Sequence, residues 1–216
     1  PLYNDRTVAS KLAALTKSYV GWGTSLIDYD NDGNLDLCIV NGHINQVIES
    51  TRQDVKYREP PLLLHNEGNG VFRNMREQAG SVFESEYRAR GLAAGDFNND
   101  GGVDIVFTRL DATPVLLRNN LGQNHPWVGF ELQGTKSNRD AIGAKLTIEA
   151  GKRKLVRWIR GGGSYLSSHD KRVIVGVPDS SPAIDAEIKW PSGTVQRISN
   201  LALKQYHHLV EPAEKK

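Results

Sequence analysis

The stretch Asp28-Tyr-Asp30-Asn-Asp32-Gly33-Asn34-Leu-Asp36 sets carboxylates at positions 1, 3, 5 and 9 of one short loop around a glycine. Unit negative charges about 4 Å apart cost roughly 1 kcal/mol per pair even at the dielectric of water, and more when water is excluded, so the loop asks for a cation. The side-chain donors are all oxygens, with neither Cys nor His among them, which selects a hard ion over zinc, copper or iron. Calcium takes about six to eight oxygens in a flexible shell and fits a carboxylate-dense loop better than magnesium does. By analogy with other oxygen-donor loops, position 7 adds a backbone carbonyl, here from Asn34. The chain then writes nearly the same pattern again, as Asp96-Phe-Asn98-Asn-Asp100-Gly101-Gly102-Val-Asp104, with Gly102 at position 7. Two calcium sites are therefore expected.

Two plainer readings compete. Asp-Gly is a strong hairpin-turn signal, but a turn explains only Asp32 and Gly33, not the flanking carboxylates or their recurrence. An EF-hand needs a bidentate Glu at position 12, where this chain has Ile39 and Phe107. The flanks Leu35, Leu37, Ile39 and Val103, Ile105, Phe107 are short apolar runs bounded by turn residues, which predicts strands rather than helices around the loops.

The two loops lie 68 residues apart, and the similarity extends beyond them: Gly23 to Asp28 parallels Gly91 to Asp96, and Pro61-Leu-Leu-Leu-His-Asn66 parallels Pro114-Val-Leu-Leu-Arg-Asn119. Pro1-Leu-Tyr-Asn4 matches the end of that second motif and forms a third, partial copy. Short strands and Gly-rich turns at this period predict propeller blades of about four strands each, two and a fraction of them, with further blades upstream. The first repeat carries an additional polar segment, His43 to Pro60, which is either a binding loop or a solvated connector.

Gly21-Trp-Gly23 leading into the first acidic loop resembles the FG-GAP or VCBS repeat of integrin-α-like propellers, over residues 1–122. Downstream, Ser137-Asn-Arg-Asp-Ala-Ile-Gly-Ala144, Gly161-Gly-Gly-Ser-Tyr-Leu-Ser167 and Trp190-Pro-Ser-Gly193 resemble the ASPIC and UnbV domain, which follows such repeats in that family. The resemblance implies a secreted, periplasmic or cell-surface protein that binds calcium and acts through interaction. It also implies metal ligands at Asp28, Asp30, Asp32 and Asp36, and at Asp96, Asn98, Asp100 and Asp104. Asn98 stands where the motif commonly has Asp, which removes one charge and weakens the second site.

From His125 onward the acidic loops stop, and the Gly122–Asn124 turn cluster divides residues 1–122 from 123–216. Six strand-length apolar runs follow, Trp127–Leu132, Ala144–Ala150, Lys154–Arg160, Arg172–Val177, Ala186–Trp190 and Val195–Ile198, which predict a small β-sandwich. The chain as a whole is expected to be all-β, with Glu211 to Lys216 as a frayed charged end.

Charge divides along the same boundary: 12 Lys and Arg against 16 Asp and Glu before it, a formal −4, and 15 against 9 after it, a formal +6. The basic run Lys152, Arg153, Lys154, Arg157, Arg160 raises polyanion binding as a possibility, but no nucleic-acid motif accompanies it, and no specific nucleic-acid partner is expected. Gly161-Gly-Gly-Ser164 lacks the ending of a P-loop. Ser168, His169 and Asp170 are adjacent in sequence, whereas triad members come from separate segments. His207 and His208 point to opposite faces of a terminal strand. Cys38, the single cysteine, reads as a buried small hydrophobe. No apolar run spans a membrane. The sequence therefore points to a calcium-binding extracellular interaction or adhesion module with a protein or glycan partner and a structural metal. The rival is an accessory carbohydrate-active or biosynthetic enzyme with its active site in further blades or at the interdomain cleft.

Overall fold

The computed structural model describes residues 2–110, 112–177 and 183–213. The chain is all-β, and no sheet closes into a barrel. In the first half, β1 (Gly21–Ile27), β2 (Asp36–Asn41), β3 (Leu62–Asn66) and β4 (Phe72–Asn74) form an antiparallel meander. A second meander joins β5 (Ala89–Gly95), β6 (Asp104–Arg109) and β7 (Ala112–Leu117). The repeat extends to the backbone irregularity: β1 slips register against β2 between Gly21 and Thr24, and β5 slips against β6 between Ala89 and Leu92, the same 68-residue offset. The two sheets meet at their first strands, where a Cβ on Gly23 would lie 2.6 Å from the Leu92 Cβ, so only glycine lets β1 and β5 approach. Behind that contact Ile27, Cys38, Val40, Leu63, Leu92, Ile105 and Phe107 form one buried core.

Three details differ from expectation. Residues 2–4 form no strand, and Leu2 and Tyr3 are fully exposed, because a short segment with no neighbouring strand gains no ladder hydrogen bonds. The second sheet stops at three strands, since the chain turns away after β7 toward the C-terminal half. The His43–Pro60 segment is pinned rather than free: it carries a one-turn helix, Ile48–Thr51, and ends in Glu59, whose carboxylate is buried and accepts the Val20 amide at 2.8 Å.

The C-terminal half is a sandwich. One sheet has the order β10-β9-β12-β13 (β9 Lys145–Ala150, β10 Arg153–Trp158, β12 Ile184–Lys189, β13 Val195–Leu201). The other has the order β11-β8-β14 (β8 Trp127–Gln133, β11 Val173–Gly176, β14 Tyr206–Val210), with β14 parallel to β8. Period-2 burial along the strands brings Val128, Phe130, Leu146, Ile148, Val175, Ile188 and Trp190 into one shared core between the sheets. Glu211 is not frayed. Its carboxylate is buried and accepts the amides of Thr135, Lys136 and Ser137 and the hydroxyls of Ser137 and Ser192, which ties the tail to the 134–138 loop. Burial alone would raise this carboxyl, but those donors outweigh it and hold Glu211 down at about 2.

Candidate metal centre

The two acidic loops are the β1–β2 and β5–β6 connections, and the strands dictate their shape. The loop amides must turn inward to meet the first carboxylate, which places Asn31 and Asn99 at φ 56° and 60° and Gly33 and Gly101 at φ 87° and 89°. Asn tolerates the left-handed region and Gly occupies it freely, which accounts for the Asn-Asp-Gly order. Both loops share one hydrogen-bond frame. Gly33 N–H donates to Asp28 and Gly101 N–H to Asp96; Tyr29 N–H donates to Asp36 and Phe97 N–H to Asp104; Asn66 N–H and Asn119 N–H reach the same two final aspartates at 2.8 and 2.7 Å. The Asn that ends the Pro-x-Leu-Leu-x-Asn motif is thus the residue that fixes the last carboxylate of each loop.

In the first loop, oxygens of Asp28, Asp30 and Asp36 lie within 4.8 Å of one another, and oxygens of Asp30 and Asp32 are as close to each other and to a ring nitrogen of His65. Asp28 and Asp36 are almost wholly buried, at 2% and 0% exposure. Burial pushes Asp36 up to about 8 against the pull of the Asn66 amide. It pushes Asp28 to about 6, with Arg157 and the Gly176 amide opposing, and it raises Asp30 as well. Each carboxylate oxygen keeps a lone pair beyond its backbone donor, so the set has both the charge and the free acceptor capacity that a hard divalent cation needs. Asn34 stands at position 7, and its side chain donates to Asp32 at 2.7 Å.

The second loop keeps the frame but not the convergence. Among the described residues, Asp96, Asp100 and Asp104 form no such group of three. Asn98 and Arg118 both donate to the Asp100 carboxylate, at 2.7 and 3.2 Å. Burial acts upward on Asp100, but the Gly102 amide, Asn98 and Arg118 more than offset it and lower its carboxyl. Asp104 is raised, chiefly by burial. Gly102 packs beside Asp100 and the Asn119 carbonyl.

Sequence reading missed two contributors. His65 lies on β3, 29 residues from the end of the loop, and only the Leu37–Leu64 pairing of β2 with β3 swings it over Asp30 and Asp36, at 3.4 and 3.2 Å. The available signal was its place in the repeated motif, directly before Asn66, where the second copy has Arg118. The other contributor is the sandwich itself. Arg153 donates to the Asp32 carbonyl at 2.6 Å and the Asn34 side-chain oxygen at 2.7 Å; Arg157 donates to the Gly33 carbonyl at 3.1 Å and lies 3.5 Å from Asp28; the Gly176 amide donates to Asp28 at 3.0 Å. At the second loop, Arg172 donates to the Asp96 carbonyl and Tyr206 donates its hydroxyl to the Asp96 carboxylate at 2.8 Å. The basic run thus meets a polyanion in its own chain. A Cβ on Gly176 would sit 2.1 Å from the Asn31 carbonyl, and one on Gly101 would sit 1.9 Å from the Trp127 ring, so both glycines are needed for the seam to close.

The remaining sequence candidates serve this seam. Ser164 accepts the Thr24 amide, and His169 accepts the Ala94 amide through Nδ1, so the 161–170 loop lies across β1 and β5. Asp170 is paired with Arg172, and Ser168 donates to Gly161, so Ser168, His169 and Asp170 each face a different partner. Trp22 packs between the Arg90 guanidinium and the edge of Tyr165. A cleft of about 180 Å³ remains between the halves, bordered by Asp28, Asp96, Arg157, His169 and Arg172. Among the described residues, no helix is long and apolar enough to cross a membrane.

Comparison with known proteins matches residues 134–216 to the family described as ASPIC and UnbV. The three motifs at 137–144, 161–167 and 190–193 all fall inside that span. The chain is also similar to cartilage acidic protein 1 of Mus musculus, 37% identical over 67 residues, which is 30% of this chain and 10% of that protein. The Homo sapiens protein of the same name is 36% identical over 67 residues, with the same shares covered. The match thus spans about a tenth of the length of these curated relatives.

Proposed function

We propose that this chain is a calcium-ordered extracellular interaction module, in which the ion is structural: it holds the acidic loops in the shape that joins two FG-GAP-like blades to an ASPIC and UnbV-type sandwich. The observation that carries this reading is the convergence of Asp28, Asp30 and Asp36, with Asp28 and Asp36 buried and Asp32 close to Asp30. Like charges gathered out of water are stable as carboxylates only with a counter-ion, and an all-oxygen set favours calcium. The second loop, built from Asp96, Asn98, Asp100, Gly102 and Asp104, is the weaker of the two sites, because Asn98 and Arg118 have already relieved its charge.

An extracellular setting supports the same reading. Calcium modules outside cells bind with dissociation constants of about 10⁻⁴ to 10⁻³ M, matched to a calcium-rich medium. The relatives are named for cartilage and for acidity. The interacting partner is a protein or a glycan engaged by surfaces that the loaded loops hold rigid. The test is calorimetry of the chelator-stripped chain with CaCl2: saturable binding that disappears in Asp36→Ala supports the proposal, and no heat up to about 10 mM calcium in a folded sample removes it.

A further inference from the structure

We infer that the residue just before the terminal asparagine of each repeat decides what balances its acidic loop: His65 turns the first loop into a site that also takes a divalent transition metal through nitrogen, and Arg118 serves as the resident cation of the second. This rests on the proposal that the first loop binds a divalent ion. The two loops form a natural comparison, because the backbone donors to the first and last carboxylates are the same in both. Within the loops Asn98 replaces Asp30, and outside them the difference lies in positions 65 and 118. Arg118 lies 3.2 Å from the Asp100 carboxylate and brings a fixed positive charge that a metal would have to displace. His65 brings an imidazole, which is a ligand when neutral.

Two overlapping donor sets result in the first loop. Asp28, Asp30 and Asp36 are all-oxygen and deep; Asp30, Asp32 and a ring nitrogen of His65 are shallower and mixed, again with all ligand atoms within 4.8 Å. Ions with ligand bonds of about 2.0–2.2 Å need donors no more than about 4.3 Å apart, a contraction of a few tenths of an ångström. Imidazole with carboxylates suits a borderline ion such as Zn²⁺; Mn²⁺, though it favours oxygen, also accepts an imidazole in a carboxylate set and serves as the spectroscopic probe, whereas calcium takes oxygen alone. The imidazole is held in place, since it is 15% exposed and packs edge-on against Tyr29 at 6.0 Å. Because Asp30 belongs to both sets, the transition metal and calcium exclude each other.

The test uses the full chain, stripped of metal and titrated with Mn²⁺, with pulsed EPR to detect coupling to a directly bound ¹⁴N. One Mn²⁺ per chain with a nitrogen coupling is expected. His65→Gln should abolish the coupling and weaken Mn²⁺ about tenfold or more while changing calcium affinity less than about threefold. Arg118→Gln, at a side chain that is 62% exposed, should raise the number of bound ions from one to two. Two equal Mn²⁺ sites in the wild type, a nitrogen coupling that survives His65→Gln, or an unchanged stoichiometry in Arg118→Gln each overturns the inference. A normal calcium response without nitrogen coupling overturns this inference alone; the absence of both calcium and Mn²⁺ binding overturns the calcium proposal with it.

Discussion

Asp30→Asn separates a metal loop from a hydrogen-bonded turn, because the two make opposite predictions for it. Asp30 gives the frame a 3.3 Å contact to the Asp32 amide and a 3.4 Å contact to the His65 Nδ1, both of which an Asn side chain can keep, so the change alters charge more than shape. In the metal-free fold it removes two of the three repulsions among Asp28, Asp30 and Asp36. At 4.8 Å each is worth about 0.9 kcal/mol at a dielectric of 80 and about 3.5 kcal/mol at 20, and protonation of Asp36 discounts both, so a net gain of about 1–2 kcal/mol is expected. Calcium acts the other way. With a dissociation constant of about 10⁻⁴ to 10⁻³ M, 5 mM calcium stabilises the wild type by about 1–2.3 kcal/mol, a rise of about 2–9 °C for a chain of this length. The assay is a melting curve in chelator and in 5 mM calcium. The variant should melt a few degrees above the wild type in chelator and show less than about a third of the wild-type calcium shift. Equal calcium shifts in variant and wild type, or a variant less stable than the wild type in chelator, would refute the reasoning.

Three further outcomes are expected. In chelator, Asp28 and Asp36 sit at about 6 and 8, above their unfolded values of about 3.9, so the fold binds more protons than the unfolded chain. That stability is complete below about pH 4 and is lost as pH rises through 8; denaturant titrations at pH 5 and 8 should show the fall, and calcium should flatten it. Glu211→Ala strands three amides and two hydroxyls and should cost about 2–4 kcal/mol in urea unfolding of the sandwich. Because Glu211 is held at about 2, its contribution exists above about pH 4.5 and disappears as pH falls toward 2. Gly176→Val drives a side chain into the Asn31 backbone and should loosen the seam, seen as faster proteolysis near residues 119–126 with both cores still melting cooperatively.

The loops were legible because their chemistry is local: alternating acids around Asn-Asp-Gly specify one turn, and the 68-residue echo made it a repeat. The sandwich strands were legible from strand-length apolar runs separated by Gly, Pro, Ser or Asp. His65 was not, because it stands 29 residues beyond the loop and only strand pairing carries it to Asp36. Arg153 and Arg157 were visible as a basic run, but their target could not be read, since the 121 residues between Asp32 and Arg153 give no distance information. Glu211 looked like a charged tail because hydrophilicity in a terminal segment usually means solvent, and five donors from 135–137 and 192 reversed that here. Pro1–Asn4 carried the repeat's letters, but its described residues, Leu2 to Asn4, lack the neighbour a strand requires.

Asn31 of the first loop donates to the carbonyls of Gly101 and Gly122, and Asn119 donates to Tyr29, so the segment leaving β7 is threaded between the two acidic loops before it enters the sandwich. A pull applied between the two halves therefore does not reach either hydrophobic core first. It travels through these amide clasps and the arginine contacts, and the stiffness of the joint becomes a property of the two loops rather than of the cores.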